Sequence, residues 1–235
     1  MDAVKPTIIL VHGAFAVASG WQAVIGLLQD DGYPVLAVQN ALASLANDVE
    51  TTKRAIDAQT GPVVVVGHSY GGAVMSGAAA GNADVRALVF LSAFAPEPGE
   101  AVAAFGSEYP IDLDTALVPD AAGFLSIDPA KFHAVFGADL PDRQTAWMAV
   151  AQKPIHGSIF GQSVPEAAWK TIPSWYVVAR QDHAINPDLE RFYAKRIGAR
   201  TTEIDSSHVV FLSHPREVTD LIKEAATAAP VGAMA

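Results

Sequence analysis

Five residues, Gly67-His68-Ser69-Tyr70-Gly71, constrain this chain more than any other stretch. They follow the apolar run Pro62-Val63-Val64-Val65-Val66 and open into the small-residue stretch Gly72-Ala73-Val74-Met75-Ser76-Gly77-Ala78. An uninterrupted β-branched run reads as a strand buried on both faces. The small residues after it read as a helix packed tightly back on the sheet. A join this short forces Ser69 into strained backbone angles and lifts its hydroxyl clear of the sheet. Gly67 and Gly71 keep bulk away on either side. The Gly-x-Ser-x-Gly pattern alone carries little information. Between a strand and a helix, it predicts a presented, nucleophilic serine.

Strand-like and helix-like runs alternate on both sides of this turn. Thr7–Val11, Pro34–Val38, Ala87–Leu91, Ser174–Ala179 and Arg200–Ile204 read as further strands. Between them, Ser19 and Gln22 have capping-box spacing for a helix with Trp21, Val24, Ile25 and Leu28 on one stripe, ended by Gly32. Ser44 to Thr60 reads as a second helix, with Leu45, Val49, Thr52 and Ile56 on one face. Asn186 and Pro187 open a third, with Leu189, Phe192, Tyr193 and Ile197 inward and Gly198 after it. Ser213 is read as the cap of a last helix from Pro215 to about Ala226, and the Ala-rich end from Ala225 to Ala235 as fraying. Repeated β-α-β units imply an α/β fold: a mostly parallel sheet of about six strands with helices on both faces.

The alternation breaks between residues 96 and 170. Prolines recur there and no buried-strand run appears, yet large apolar side chains are frequent. A structureless loop of that length is implausible in a compact domain. The segment therefore reads as an inserted helical lid, with short helices at Pro129–Phe136 and Pro141–Gln152, on a core formed by residues 1–95 and 171–235.

A serine hydroxyl needs a base to become a nucleophile at neutral pH, and a histidine base needs a carboxylate to fix its tautomer. Two strand ends supply candidates: Asp182 after Ala179, and Asp205 and His208 after Ile204. Ends of strands on one edge are where open α/β sheets hold ligands. Asp205 lies three residues from His208 on the same loop, so Asp182 is better placed to reach the far ring nitrogen. His214, just before Pro215, reads as a surface or capping residue. His133, His156 and His183 have no role that the sequence argues. No histidine pair has metal-site spacing, and cysteine is absent, which removes disulfides and thiolate chemistry.

The Gly67–Gly71 turn, the Val11-His12-Gly13-Ala14-Phe15 loop, the Asp182 and His208 placements and the insertion after Leu91 resemble the α/β-hydrolase superfamily along the whole chain. Within it, the His12-Gly13 loop and Ser207-His208-Val209-Val210-Phe211-Leu212-Ser213-His214-Pro215 resemble the small lidded esterases. That group includes plant methyl-ester hydrolases, hydroxynitrile lyases and bacterial pyrethroid-type carboxylesterases. The resemblance implies Ser69, Asp182 and His208 as a catalytic triad. It also implies the backbone N–H groups of Ala14 and Tyr70 as oxyanion donors, with Gly13 allowing close approach. The chain departs from the superfamily at its start, where no room remains for the usual two leading strands.

The implied activity is hydrolysis of a carboxylic ester of a small to medium apolar substrate through an acyl-enzyme. Serine, imidazole and backbone amides supply every charge this reaction develops, so no metal and no cofactor is expected. The alternatives are a hydroxynitrile lyase, a cofactor-free perhydrolase, or a hydrolase-fold receptor with little turnover. Gly13 stands where such lyases carry Thr, which favours the esterase. Lys131, Lys153 and Lys170 are the candidates for the lysine a lyase lid supplies. Phe15, Trp147 and Met148 are expected to line the substrate pocket.

Fifteen basic residues against 25 acidic ones give a net charge of −10 without a basic run, which argues against nucleic-acid and anionic-membrane partners. No apolar stretch is long enough for a membrane span, and no signal-like segment precedes the first strand. A cytoplasmic location is the resulting expectation, with a homodimer left open.

Overall fold

The computed structural model describes residues 4–228. In chain order the first half contributes β1 (Thr7–Val11), α1 (Gln22–Asp30), β2 (Val35–Val38), α2 (Leu45–Asp57), β3 (Val63–His68), α3 (Tyr70–Ala78) and β4 (Val85–Leu91). An insertion carries β5 (Leu117–Pro119), β6 (Phe124–Ile127), α4 (Phe132–Phe136), α5 (Asp142–Ala151) and β7 (Ile155–His156). The chain then returns to the core with β8 (Ser174–Ala179), α6 (Pro187–Arg196), β9 (Arg200–Ile204), α7 (Val210–Ser213) and α8 (Pro215–Ala228).

Six strands form one sheet in the order β2-β1-β3-β4-β8-β9, and every neighbouring pair is parallel. Every residue of β3 and β8 is buried, as continuous apolar runs in a sheet covered on both faces require. The order reverses at β1, whose chain first moves outward to β2 and then crosses back to β3. Parallel sheets open a crevice beyond the strand ends at such a switch point. The loop after β1 and the turn after β3 both leave the sheet there, with Val11 opposite Gly67 in register.

Local signals account for some of the helix ends. The Ser44 hydroxyl accepts the Asn47 N–H at 3.2 Å and caps α2. Asn186 accepts from Asp188 at 3.0 Å and caps α6, with Pro187 as its first residue. Gly198 follows α6 with φ +61°. Two expected caps are corrected. Ser19 lies inside a 3-10 turn, Ala18–Trp21, and α1 begins after Trp21 without a side-chain cap. The buried indole of Trp21, stacked 4.1 Å from Phe211, sets that entry instead. Ser213 ends α7, and its hydroxyl is bonded to Ser206 Oγ at 2.9 Å. Of the terminal segment expected to fray, Ala225–Ala228 is helical, and residues 229–235 lie outside the described residues.

The insertion is more than helical. Its three short strands form an antiparallel sheet in the order β5-β6-β7. The β5–β6 turn is built by Asp120, whose Oδ1 accepts the N–H groups of Ala122 and Phe124 at 2.8 and 2.9 Å, with Gly123 at φ +85°. Strands of two to four residues are too short to show alternation in sequence. The insertion is tied to the core where the His156 N–H bonds Leu42 O at 2.9 Å and the Lys153 N–H bonds Phe15 O at 3.3 Å. Among the described residues, no helix is long and apolar enough to cross a membrane.

The packing of α3 onto β1 is close enough to be tested. A Cβ at Gly71 would lie 2.4 Å from the carbonyl oxygen of Val11, a backbone atom that cannot swing away. Gly71→Ala is expected to cost at least about 2 kcal/mol and to lower Tm by several degrees. Gly26, inside α1 with open space around it, sets the opposite case: Gly26→Ala should gain roughly 0.5–1 kcal/mol through helix propensity. Thermal melts of the two variants against the parent protein check both signs.

Candidate active site

Ser69 sits at φ +54°, ψ −124°, a region that L residues with a side chain rarely adopt. Such a conformation costs on the order of 1–3 kcal/mol and survives only where its surroundings hold it. Here the Ser69 N–H bonds Leu91 O at 3.1 Å, while the Ser69 carbonyl accepts from Gly72 at 3.0 Å and Phe94 at 3.2 Å. The turn is thus fastened to β4, to the segment just beyond it and to the first turn of α3.

The chain end of β8 delivers Asp182 and the end of β9 delivers His208. Their contact is a 2.6 Å hydrogen bond between His208 Nδ1 and Asp182 Oδ2, with both side chains almost fully buried. The other oxygen, Asp182 Oδ1, accepts the N–H groups of Ala184 at 2.6 Å and Ile185 at 2.8 Å. With Nδ1 donating to the carboxylate, Nε2 is left as the basic nitrogen. Ser69 and His208 line the same cavity, of about 220 Å³.

Asp205, the rival acid, is exposed and paired with Arg180 Nε at 2.9 Å. His214 pairs with Glu217 at 2.9 Å near the surface, and His183 with Asp112 at 2.7 Å. His133 and His156 bond to Thr145 and Ser158 within the insertion.

The loop after β1 brings Ala14 to the same cavity, opposite Tyr70. Its geometry is set by His12, which is fully buried. The Asn40 N–H donates to His12 Nε2 at 3.1 Å, so the ring proton sits on Nδ1 and is donated to Gly13 O at 2.9 Å. Gly13 O and the Ala14 N–H belong to one peptide plane and point in opposite directions. Holding the carbonyl therefore aims the N–H. Neither the Ala14 nor the Tyr70 N–H is engaged by a backbone acceptor among the described residues. The Tyr70 N–H stands at the first position of α3, where the helix dipole favours negative charge. Gly13 has no alternative here, because a Cβ would lie 2.7 Å from the Ser69 Cβ.

The side chain of Tyr70 turns the other way and donates to Asp48 Oδ2 at 2.9 Å. Asp48 Oδ1 accepts from Ala41 and Leu42 at 2.9 and 3.1 Å, tying the loop after β2 to α3. Burial raises the Asp48 carboxyl above its ordinary range, with these donors pulling it back. The Tyr70 phenol is pushed up by burial and by the Asp48 charge beside it.

His68, inside the motif itself, has a structural part that sequence reasoning left unassigned. Its Nε2 is 2.9 Å from the His208 carbonyl oxygen, and its ring lies 4.6 Å from the His208 ring. Complete burial, with His208 and His12 nearby, holds it well below the usual histidine range. It is a neutral donor that anchors the backbone of His208. Nothing in the sequence marks it, since the middle positions of Gly-x-Ser-x-Gly vary freely.

Apart from Ser69, His208 and the polar residues Asp114 and Asn186, the cavity wall is largely apolar. Phe105, Tyr109, Leu113, Phe136 and Phe160 come from the insertion. Phe15 lines it, whereas Trp147 and Met148 do not. Those two border a second, smaller cavity of about 70 Å³, on the far side of the Phe15–Phe136 pair. Trp147 is 57% exposed. Periodicity could not reveal this, because α5 is polar and apolar on all sides. Among the described residues, no group of three or more potential ligands is arranged to hold a metal.

The burial of His12 has a measurable pH signature. Burial lowers it to about 4, with the Lys153 charge adding to the effect and the Gly13 bond opposing it. An unfolded imidazole takes a proton below about pH 6.5, which the native ring refuses until pH nears 4. The His12 contribution is therefore complete above pH 6.5 and is lost as pH falls toward 4. Between pH 7 and 5 the parent protein should lose about 2 kcal/mol more stability than His12→Asn. Urea unfolding of both proteins at the two pH values measures the difference.

Comparison with known proteins places this geometry in a family. The sequence model of the alpha/beta hydrolase family matches residues 8–221. The chain is 26% identical to a protein named "Probable hydrolase R7" from a Phoma species, over 94% of this chain and 98% of that one. It is 24% identical to the polyneuridine aldehyde esterase of Rauvolfia serpentina, over 89% and 91%. The crystal structure of a pyrethroid hydrolase from Sphingobium faniae superposes with a TM-score of 0.82 at 23% identity, covering 96% of this chain and 98% of that one. With nearly the whole described chain inside the match, the protein belongs to the alpha/beta hydrolase family.

Proposed function

We propose that this chain is a serine carboxylic-ester hydrolase acting on small to medium apolar esters. The observation that carries the reading is the buried 2.6 Å Asp182–His208 pair opening on the same cavity as the strained Ser69. In the proposed reaction, His208 Nε2 takes the Ser69 proton as Oγ adds to the ester carbonyl carbon. The carbonyl oxygen becomes an oxyanion between the N–H groups of Ala14 and Tyr70. His208 then protonates the departing alkoxide, leaving an acyl group on Ser69. A water molecule, deprotonated by the same imidazole, repeats the addition and releases the acid.

The esterase named among the relatives and the pyrethroid hydrolase among the structures support the same class. Residues 96–170 act in this reading as a lid, because their aromatic and aliphatic side chains roof the cavity. The cavity's size and its largely apolar wall favour an acyl or alcohol group without charge. A lyase would need a cation beside the serine. Lys131, Lys153 and Lys170 are instead bonded to Thr115 O, Asn40 O and Glu97, and none of them lines the cavity.

Ser69→Ala should lower ester turnover at least ~10³-fold and abolish labelling by a phosphonate probe, with the fold retained. Asp182→Asn should cost on the order of 10⁴ in kcat by setting the wrong tautomer. Asp205→Asn should be close to neutral; the reverse ranking would reject the proposed acid. Kinetics on p-nitrophenyl acetate with the three variants provide the ranking.

Chain-length selectivity separates the two cavities. Since Trp147 borders the smaller one, Trp147→Ala should leave the ratio of kcat/KM for long and short acyl esters within about twofold of the parent. A p-nitrophenyl ester series reads that ratio.

A further inference from the structure

One buried acid is left over by this chemistry. Glu190, on α6, is completely inaccessible to solvent. Its Oε2 accepts the Ala179 N–H at 3.0 Å, at the end of the strand from which Asp182 departs. Its Oε1 has no donor within reach, and its carboxyl lies within hydrogen-bonding distance of the Asp182 carboxyl. Two carboxylates in contact in a dry interior cannot both ionise.

The groups around the pair decide which one keeps the proton. Asp182 has His208 on one oxygen and two backbone N–H groups on the other, so it is the better-stabilised anion. Glu190 accepts one N–H. Tyr176, on β8, has its hydroxyl bonded to Ala93 O and is unavailable to Glu190. Of the cations on α6, Arg191 is engaged at the surface by Asp188 and Glu203, Arg196 by Glu100, and Lys195 is exposed to solvent. Burial, followed by the Asp182 charge, drives the proton affinity of Glu190 upward, and the Ala179 N–H and the Arg191 charge oppose this more weakly.

We propose that Glu190 is a neutral carboxylic acid whose O–H donates to the Asp182 carboxylate, making it a positioning residue behind the Asp182–His208 pair. The relay then runs from Glu190 through Asp182 and His208 to Ser69. A neutral donor steadies the Asp182 carboxylate without adding a second negative charge beside the imidazole. It also moderates how strongly that carboxylate holds a protonated ring. The effect on the reaction rests on the ester-hydrolase reading, whereas the protonation state of Glu190 does not.

Gln is the isostere of a protonated Glu, with its carbonyl for Ala179 N–H and its amide N–H for Asp182. Two measurements follow, and the first needs no turnover. Native Glu190 keeps a proton that the unfolded chain releases above its ordinary range, near pH 4.5. The parent protein therefore loses stability relative to Glu190→Gln as pH rises. From pH 5 to 7, the ratio of the two unfolding constants should change by close to tenfold per pH unit. A flat ratio means that Glu190 is ionised in the native state and overturns the proposal.

In the second, Glu190→Gln should keep the parent pH–rate profile for ester hydrolysis. Glu190→Leu, lacking the donor, should move the acid limb to higher pH and lower kcat/KM about tenfold at pH 6. A Leu variant with the parent profile, or a Gln variant whose acid limb moves, rejects the positioning role. Should Glu190→Leu not fold, the Gln variant alone decides both points. Absence of ester turnover in the parent protein would instead reject the hydrolase reading, leaving the unfolding ratio to decide whether Glu190 is protonated.

Discussion

The backbone of Ser69 is the constraint on which the rest of the structure is built. A left-handed φ at a residue bearing a side chain costs free energy that no local interaction returns. Three backbone hydrogen bonds, to Leu91, Gly72 and Phe94, hold it from three directions. They exist because β3 lies between β1 and β4 and because α3 packs directly against the end of β1. That packing is so close that Gly71 meets Val11 O, which explains small residues where a typical helix would carry larger ones. The buried valines of β3 are therefore the anvil for the turn as well as part of the core.

A second layer of polar contacts aims the groups that the turn presents. His12 fixes the peptide plane that carries the Ala14 N–H, Asp48 ties the Tyr70 side chain to the loop after β2, and His68 anchors the His208 carbonyl. All are buried, and each is hydrogen-bonded in a way that assigns its tautomer or its protonation state. Histidines held neutral by burial cost stability in acid, whereas acids held neutral cost stability in base. His12 and Glu190 thus pull the pH dependence of folding in opposite directions. Buried polar groups are expensive, and here they lie behind the cavity that holds Ser69 and His208.

The insertion and the core meet at this cavity with different physical roles. The core contributes Ser69, His208 and Asn186, while the insertion contributes mostly aromatic and aliphatic wall together with Asp114. Most of the cavity's shape thus comes from one part of the chain and most of its polar groups from the other. Changes in the insertion can alter what the cavity accommodates without disturbing the hydrogen bonds that hold Asp182 and His208. The Phe15–Phe136 edge contact, with ring centroids 6.2 Å apart, divides this cavity from its smaller neighbour. It joins a core loop to an insertion helix.

What could be read from the residues alone follows from local rules. Valine runs, the Gly-x-Ser-x-Gly turn, the Ser44 and Asn186 caps and Gly198 each act within a few positions, so strands, helices and the parallel sheet were legible. Asp182 and His208 were legible as candidates, because strand ends of an open α/β sheet share one edge. The short insertion strands were not, since two to four residues carry no usable period. Nor was the surface placement of Trp147, because a weakly amphipathic helix does not declare its inward face. His68 and Glu190 lie 122 positions apart in sequence; each acquires its part only by what the folded chain puts beside it. Local backbone chemistry is written along the chain, whereas burial, tautomer and protonation state depend on neighbours from distant segments, and only the tertiary structure decides them.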